Sequence, residues 1–360
     1  MTNVAELAGW LALAYASGLS LARTKAIVGR WCLEAGRPLM ALFDLTAAEL
    51  EAKLDLTPAE RAAVQGLPGH LAGHASWCRQ LMGAGVHILT RADPAYPATL
   101  ARSLPPAEQP LLLYVRGQLP APGVALAAII GDQPVDTLAA EMAHDLTVLL
   151  AEEHIVLVGG LNGETGRQAT DSNPPNCYGR AVLVAPMGIS AVETDGDWAP
   201  ALEQGRIALL SPFRPDAPYS EGNAVGRNRL ITALADAVIV MQAQPGGVVH
   251  RMAADALRHG QRVCVWEADP DSADVVHCHR QLAEAGGMPV SEMTDLLEVV
   301  AILKAAARCR CADTDTEDVV YARESGNRVE SGAMDPDQVL AILSHCGRVP
   351  EALRRRLQRS

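Results

Sequence analysis

Between residues 124 and 268 one pattern repeats six times: a short, continuous run of Val, Ile, Leu and Ala, followed by a polar break. The runs are VALAAIIG (124–131), HIVLVGG (154–160), RAVLVAPMG (180–188), RIALLS (206–211), DAVIVMQ (236–242) and RVCVWEA (262–268). A run that is apolar throughout, instead of at every second position, suits a strand covered on both faces. Such strands belong to parallel sheets, whose crossover connections lay helices over each side. Helical spacing fills most of the gaps. Thr137–Glu152 puts Leu138, Met142, Leu146 and Leu149 on one face, Val225–Leu234 puts Leu230, Ile231 and Leu234 there, and Val248–His259 does so with Met252, Ala256 and Leu257. The expected class is α/β: a doubly wound, mainly parallel, Rossmann-like sheet over 124–268 that binds ligands at the carboxyl ends of its strands.

The flanks differ. Residues 1–80 read as a small helical N-terminal module. Leu7, Trp10, Leu11 and Ala14 share a face, Gly36 ends a second helix, and Thr57 with Pro58 forms an N-cap and first-turn signal. Residues 81–305 are expected to form the Rossmann-like domain. Its lead-in, 81–123, reads as extended pieces separated by prolines, and Tyr96-Pro97 and Pro105-Pro106 forbid a helix across them. Residues 306–334 are polar and read as a linker, and 335–360 as a short helical tail.

Charge narrows the function. The net charge is −12, lysine occurs only at 25, 53 and 304, and residues 125–270 hold eighteen acids against nine bases. That excludes broad non-specific nucleic-acid binding, which needs an extended basic surface, but leaves room for a small local site. No apolar stretch reaches 18 residues and no basic leader opens the chain, so a cytoplasmic protein with no membrane association is expected. The eight cysteines are scattered and read as reduced thiols. His277-Cys278-His279 with Cys309 and Cys311 lacks the ligand spacing of a zinc site, so no metal is expected.

The loops after the strands are the candidate site. The first begins Gly131-Asp132-Gln133 and carries no G-x-G-x-x-G dinucleotide fingerprint. The second, VGGLNGETG (158–166), carries Gly159, Gly160, Asn162 and Gly163, with Arg167 just beyond. Its glycines suit either close approach of an anion to backbone amides or a turn needing positive φ. After the fifth run, Gly246 and Gly247 precede a helix whose first N–H groups could take a phosphate. Arg227, Asn228 and Arg229 are expected at the start of the helix before that run, near the ligand edge. There the arginines offer planar forks for phosphate, and the asparagine would cap the helix or read a base.

RNRLITALAD (227–236) resembles the R-N-R-I-I-A-G-L-S signature of the DNA-processing protein A (DprA/Smf) family. The order of other segments is similar to that family: the lead-in DPAYPATLARSLPPAEQPLLLYVRG, VALAAIIGD, VLVGGLNGE, GRAVLVAPMGIS and QRVCVWEADPDS. The resemblance covers roughly residues 85–272. It implies a Rossmann-like core, a pocket for single-stranded DNA, a homodimer, the loading of a RecA-type recombinase in natural transformation, and neither catalysis nor a cofactor. The implied pocket draws on the first loop, the Gly-rich loop and the Arg-Asn-Arg segment.

Three positions depart from the family pattern. Asp132-Gln133 stands where the family has Ser-Arg, Pro245-Gly246-Gly247 where it has Ser-Gly-Ser, and DSNPPN (171–176) interrupts the helix expected after the Gly-rich loop. Asp132 and Glu164 are therefore expected to oppose DNA, and Asp132→Arg to strengthen binding. Two other functions stay open. One is a nucleotide sensor related to the lonely-guy phosphoribohydrolases, whose P-G-G-x-G-T-x-x-E motif is matched here only through Pro-Gly-Gly. The other is a dimeric scaffold that does not bind DNA.

Overall fold

The structure is a computed structural model that describes residues 3–132, 137–162, 168–169, 179–194, 198–268, 271–291 and 293–313. The chain opens with helices α1 (Val4–Tyr15), α2 (Leu21–Val28), α3 (Ala47–Leu54), α4 (Pro58–Gly66) and α5 (Leu71–Gly83). Sequence signals set their ends. Thr46 and Thr57 each close a capping box with the glutamate three residues on, Pro58 opens α4, and Gly36 takes positive φ where the second helical segment stops.

Strand β1 (Val86–Thr90), helix α6 (Ala98–Ser103) and strand β2 (Leu112–Arg116) make up the lead-in. Part of the stretch expected to be extended is thus helical: α6 fits between Pro97 and Pro105, where neither proline interrupts its hydrogen bonds. The alternating part follows: β3 (Leu126–Gly131), α7 (Thr137–Glu152), β4 (Val156–Asn162), β5 (Gln168–Ala169), β6 (Ala181–Val184), α8 (Trp198–Glu203), β7 (Ile207–Ser211), α9 (Glu221–Leu234), β8 (Ala237–Gln242), α10 (Val248–Arg258), β9 (Arg262–Trp266), α11 (Ala273–Glu284), β10 (Met288–Val290) and α12 (Met293–Asp313).

The sheet order is β1-β2-β7-β6-β4-β3-β8-β9-β10, with β5 paired to β4 alone. From β7 to β10 every neighbouring pair is parallel, and the six expected strands are all among them. β1 and β2 extend the β7 edge as an antiparallel pair. The strands bury side chains alternately on two faces. Ala237, Ile239 and Met241 of β8 join the core under the N-terminal helices, α7 and α12, while Val238 and Val240 join the core under α6, α9, α10 and α11. That alternation explains the continuous apolar runs: neither face meets water.

Three further expectations change. Helix α9 begins at Glu221, capped by the Ser220 hydroxyl, so Arg227, Asn228 and Arg229 lie in its middle and Asn228 is not its cap. Gly222 and Gly226 carry no side chain into the apolar pattern, so the first turns left no periodicity to read. Helix α12 continues to Asp313, so the start of the expected linker is helical, and Ala307 is buried. The rest of the linker and the tail lie outside the described residues. Among the described residues no helix is long and apolar enough to cross a membrane.

Candidate nucleic-acid interface

The chain runs from β3 outward through β4 and β6 to β7, then returns to place β8 on the other side of β3. The switch point of the sheet therefore lies between the carboxyl ends of β3 and β8, where ligands of such sheets bind. Asp132 occupies it. Its carboxylate accepts the backbone N–H of Gln244 at 2.9 Å and of Val249 at 3.3 Å, joining the end of β3 to the loop after β8 and the first turn of α10. The positive end of a helix is thus answered by a side chain of the chain itself.

The Pro-Gly-Gly turn is shaped by this contact. A Cβ on Gly247 would run into the Asp132 carboxylate and the Gln244 carbonyl, and Gly246 takes positive φ. The Gly246 N–H donates to His250 Nδ1 at 3.0 Å. The two glycines serve an internal bond, and the phosphate expected at this helix start would have to displace Asp132. Gly131 ends β3 opposite Gln242, where the register with β8 shifts. Asp132 faces these amides and not a groove, so an arginine there would leave them without an acceptor. The expected gain in binding from Asp132→Arg therefore carries a cost in stability.

One strand away, Gly159 and Gly160 are residues of β4 itself, paired with Leu183 and Val184 of β6, and neither takes positive φ. Gly160 makes room for a side chain. A Cβ there would overlap the Arg227 guanidinium and approach Ile231 to 3.0 Å. Arg227 reaches from α9 across the end of β4, 7% exposed. Burial pushes its pKa down to about 10, partly offset by the nearby Tyr219 phenol. At neutral pH the group remains a cation. Asn162 ends β4; Gly163, Glu164, Arg167 and residues 171–176 lie outside the described residues.

Arg229 is not part of this arrangement. Two residues on a helix are about 200° apart, so Arg229 faces away from Arg227. Its guanidinium meets Glu108 at 3.2 Å and Asp255 at 3.6 Å. Asn228, between them, is half-buried. The structure therefore brings Arg227 and Gly160 together, places Gly131, Gly246 and Gly247 around Asp132, and separates Arg229 from both groups.

Sequence reasoning missed the loop 212–220. It leaves β7 and carries Phe213, Arg214 and Tyr219 to the cap of α9. It packs against the turn after β6: a Cβ on Gly188 would collide with the Arg214 and Pro215 carbonyls, and the Gly188 N–H donates to the Ala217 carbonyl. The available signal was its share of the few aromatic residues. Among the described residues no group of three metal-ligating side chains forms. His279 is buried, its Nε2 accepting from the Ala243 N–H and its Nδ1 bonded to the Trp266 carbonyl.

A mostly parallel sheet with helices on both faces and a switch point between β3 and β8 defines a Rossmann-like fold. Residues 87–301 match the family described as DNA recombination-mediator protein A, more than half of the chain, and the chain belongs to that family. No curated protein matches it significantly. Among solved structures it is similar to DNA processing protein A from Streptococcus pneumoniae, with 17% identity, a TM-score of 0.56, and coverage of 81% of this chain and 97% of that one. It is also similar to DNA processing protein A from Helicobacter pylori, described for its single-stranded DNA binding mode. There the identity is 18% and the TM-score 0.46, with 61% of this chain and 95% of that one covered.

Proposed function

We propose that this protein binds single-stranded DNA at the carboxyl edge of its sheet, loads a RecA-type recombinase as a cytoplasmic homodimer, and is not an enzyme. The observation that carries the reading is the Arg227 guanidinium lying over Gly160 at the end of β4, in a chain of the DNA recombination-mediator family. An arginine fork is suited to a phosphate, and the charge of a deeply placed one is screened less by salt than that of an exposed one. Family membership supports the recombinase and dimer parts.

The nucleotide-sensor alternative is weakened by Asp132. A mononucleotide at the switch point needs the α10 amides for its phosphate, and the carboxylate already holds the Val249 amide of its first turn and the Gln244 amide of the loop before it. The test is a titration of the full chain with a labelled dT oligomer, against a panel of mononucleotides at the same salt. Saturable oligomer binding with no mononucleotide binding is expected. The reverse result would replace this function with nucleotide sensing.

A further inference from the structure

The chain has only five tryptophans, six tyrosines and two phenylalanines, yet two of the rings meet an arginine at one place on the ligand edge. Tyr15 at the end of α1 and Trp77 on α5 lie with ring centroids 5.9 Å apart, tilted by 58°. The Arg214 guanidinium carbon is 5.7 Å from the Tyr15 ring and 5.5 Å from the Trp77 ring. His74 flanks Trp77 at 6.1 Å. The Tyr15 hydroxyl is tied to that of Tyr114 at 2.9 Å, and Tyr114 pairs with Ser211, the last residue of β7. The cluster therefore stands at the carboxyl end of β7, between the N-terminal helices and the loop 212–220.

A simple latch between those two elements would bury its cation. Here the Arg214 side chain is 55% exposed, and its acidic partner Asp216, at 2.8 Å, is 61% exposed. An exposed pair of this kind contributes little, so a phosphate can take the place of Asp216. Trp77 and His74 are half-buried and keep part of their surface open. An aromatic face beside an exposed guanidinium is the chemistry that holds an unpaired base and its phosphate, whatever the base. The same loop then runs to Ser220, the cap of the helix that carries Arg227. On the way Phe213 packs beside Gly226, whose Cβ would lie 3.8 Å from the ring. Two strand spacings, about 10 Å, separate β7 from β4, a span that a few nucleotides cover.

We propose that Trp77, Tyr15 and Arg214 form a second subsite for single-stranded DNA, in which a base stacks on Trp77 and its phosphate meets Arg214. The N-terminal helices are then part of the interface. The subsite rests on the single-strand reading above and extends it, because only a strand long enough to leave Arg227 reaches it.

The test compares dT oligomers of about 2 and about 15 nucleotides on the full-length wild type, Trp77→Ala, Trp77→Phe and Arg214→Gln, with folding checked by circular dichroism. Trp77→Ala is expected to weaken the long oligomer at least about fivefold, the lower end for loss of one stacked base, and to leave the short one unchanged. Arg214→Gln, at a side chain that is 55% exposed, should lower the salt slope for the long oligomer by about 0.7. Trp77→Phe should keep most of the affinity and lose the tryptophan quenching that the long oligomer causes. If folded Trp77→Ala and Arg214→Gln both bind the long oligomer as the wild type does, the subsite is refuted while the single-strand reading stands. If the wild type binds neither oligomer, both fall together.

Discussion

Replacing Asp132 should cost stability and expose an anion site at the same time. The Asp132 carboxylate accepts two backbone N–H groups, from Gln244 at 2.9 Å and Val249 at 3.3 Å, on different oxygens. A hydrogen bond to a charged group contributes about 1.5–3 kcal/mol. The second contact is long and the residue is half-buried, so we expect Asp132→Ala to destabilise the chain by about 2–3 kcal/mol in total. Asp132→Asn is the sharper variant. Its amide keeps one acceptor oxygen but turns an NH2 toward the other backbone donor, so it should recover less than half of the loss. The assay is urea denaturation, read as a shift in midpoint at constant slope. Inorganic phosphate should then raise the melting temperature of Asp132→Ala and leave that of the wild type unchanged, because only the variant leaves these amides without an internal acceptor. A loss below about 0.5 kcal/mol, or equal phosphate responses, would refute the claim that Asp132 closes the switch point.

Gly160→Ala should displace the Arg227 guanidinium and lower dT affinity about as much as Arg227→Ala does, about 1–3 kcal/mol, with no further loss in the double variant of a mutant cycle. Arg229→Ala should leave both dT affinity and salt slope unchanged and cost under about 1 kcal/mol in denaturation, since its side chain is 51% exposed in its pairs with Glu108 and Asp255. Asp145 is 5% exposed, and its Oδ2 has no hydrogen-bond partner among the described residues. Burial raises its pKa from 3.8 to about 6. The native state then binds more protons than the unfolded one across that window, so this group's contribution falls as pH rises from about 4 to about 6. Asp145→Asn should remove that fall and stabilise the protein at pH 7 by about 1–3 kcal/mol, measured by denaturation at both pH values.

The sheet was readable because burial on both faces writes itself into nearly every position of β3, β4, β6, β7, β8 and β9. β10 was not, since Met288-Pro289-Val290 is three residues long with a proline at its centre. The antiparallel attachment of β2 to β7 depends on a crossover from distant sequence, and no local pattern records it. The site was legible in residue types and not in arrangement. Arg227 and Gly160 were both singled out, but sixty-seven positions separate them, and only the fold shows that one exists to seat the other. Asp132 read as a lost arginine because its partners, the amides of Gln244 and Val249, are backbone groups common to every residue type. Arg229 was grouped with Arg227 because neighbours in sequence were taken as neighbours in space, which a helix at 100° per residue denies them.

The most direct measurement is a salt series of dT-oligomer binding to the wild type and to Arg227→Gln. Saturable wild-type binding is expected at low salt, and in the variant a loss of about 1–3 kcal/mol with the slope of log K against log salt reduced by about 0.7. Absence of wild-type binding at low salt, or a folded Arg227→Gln that binds with unchanged affinity and slope, would contradict binding at Arg227.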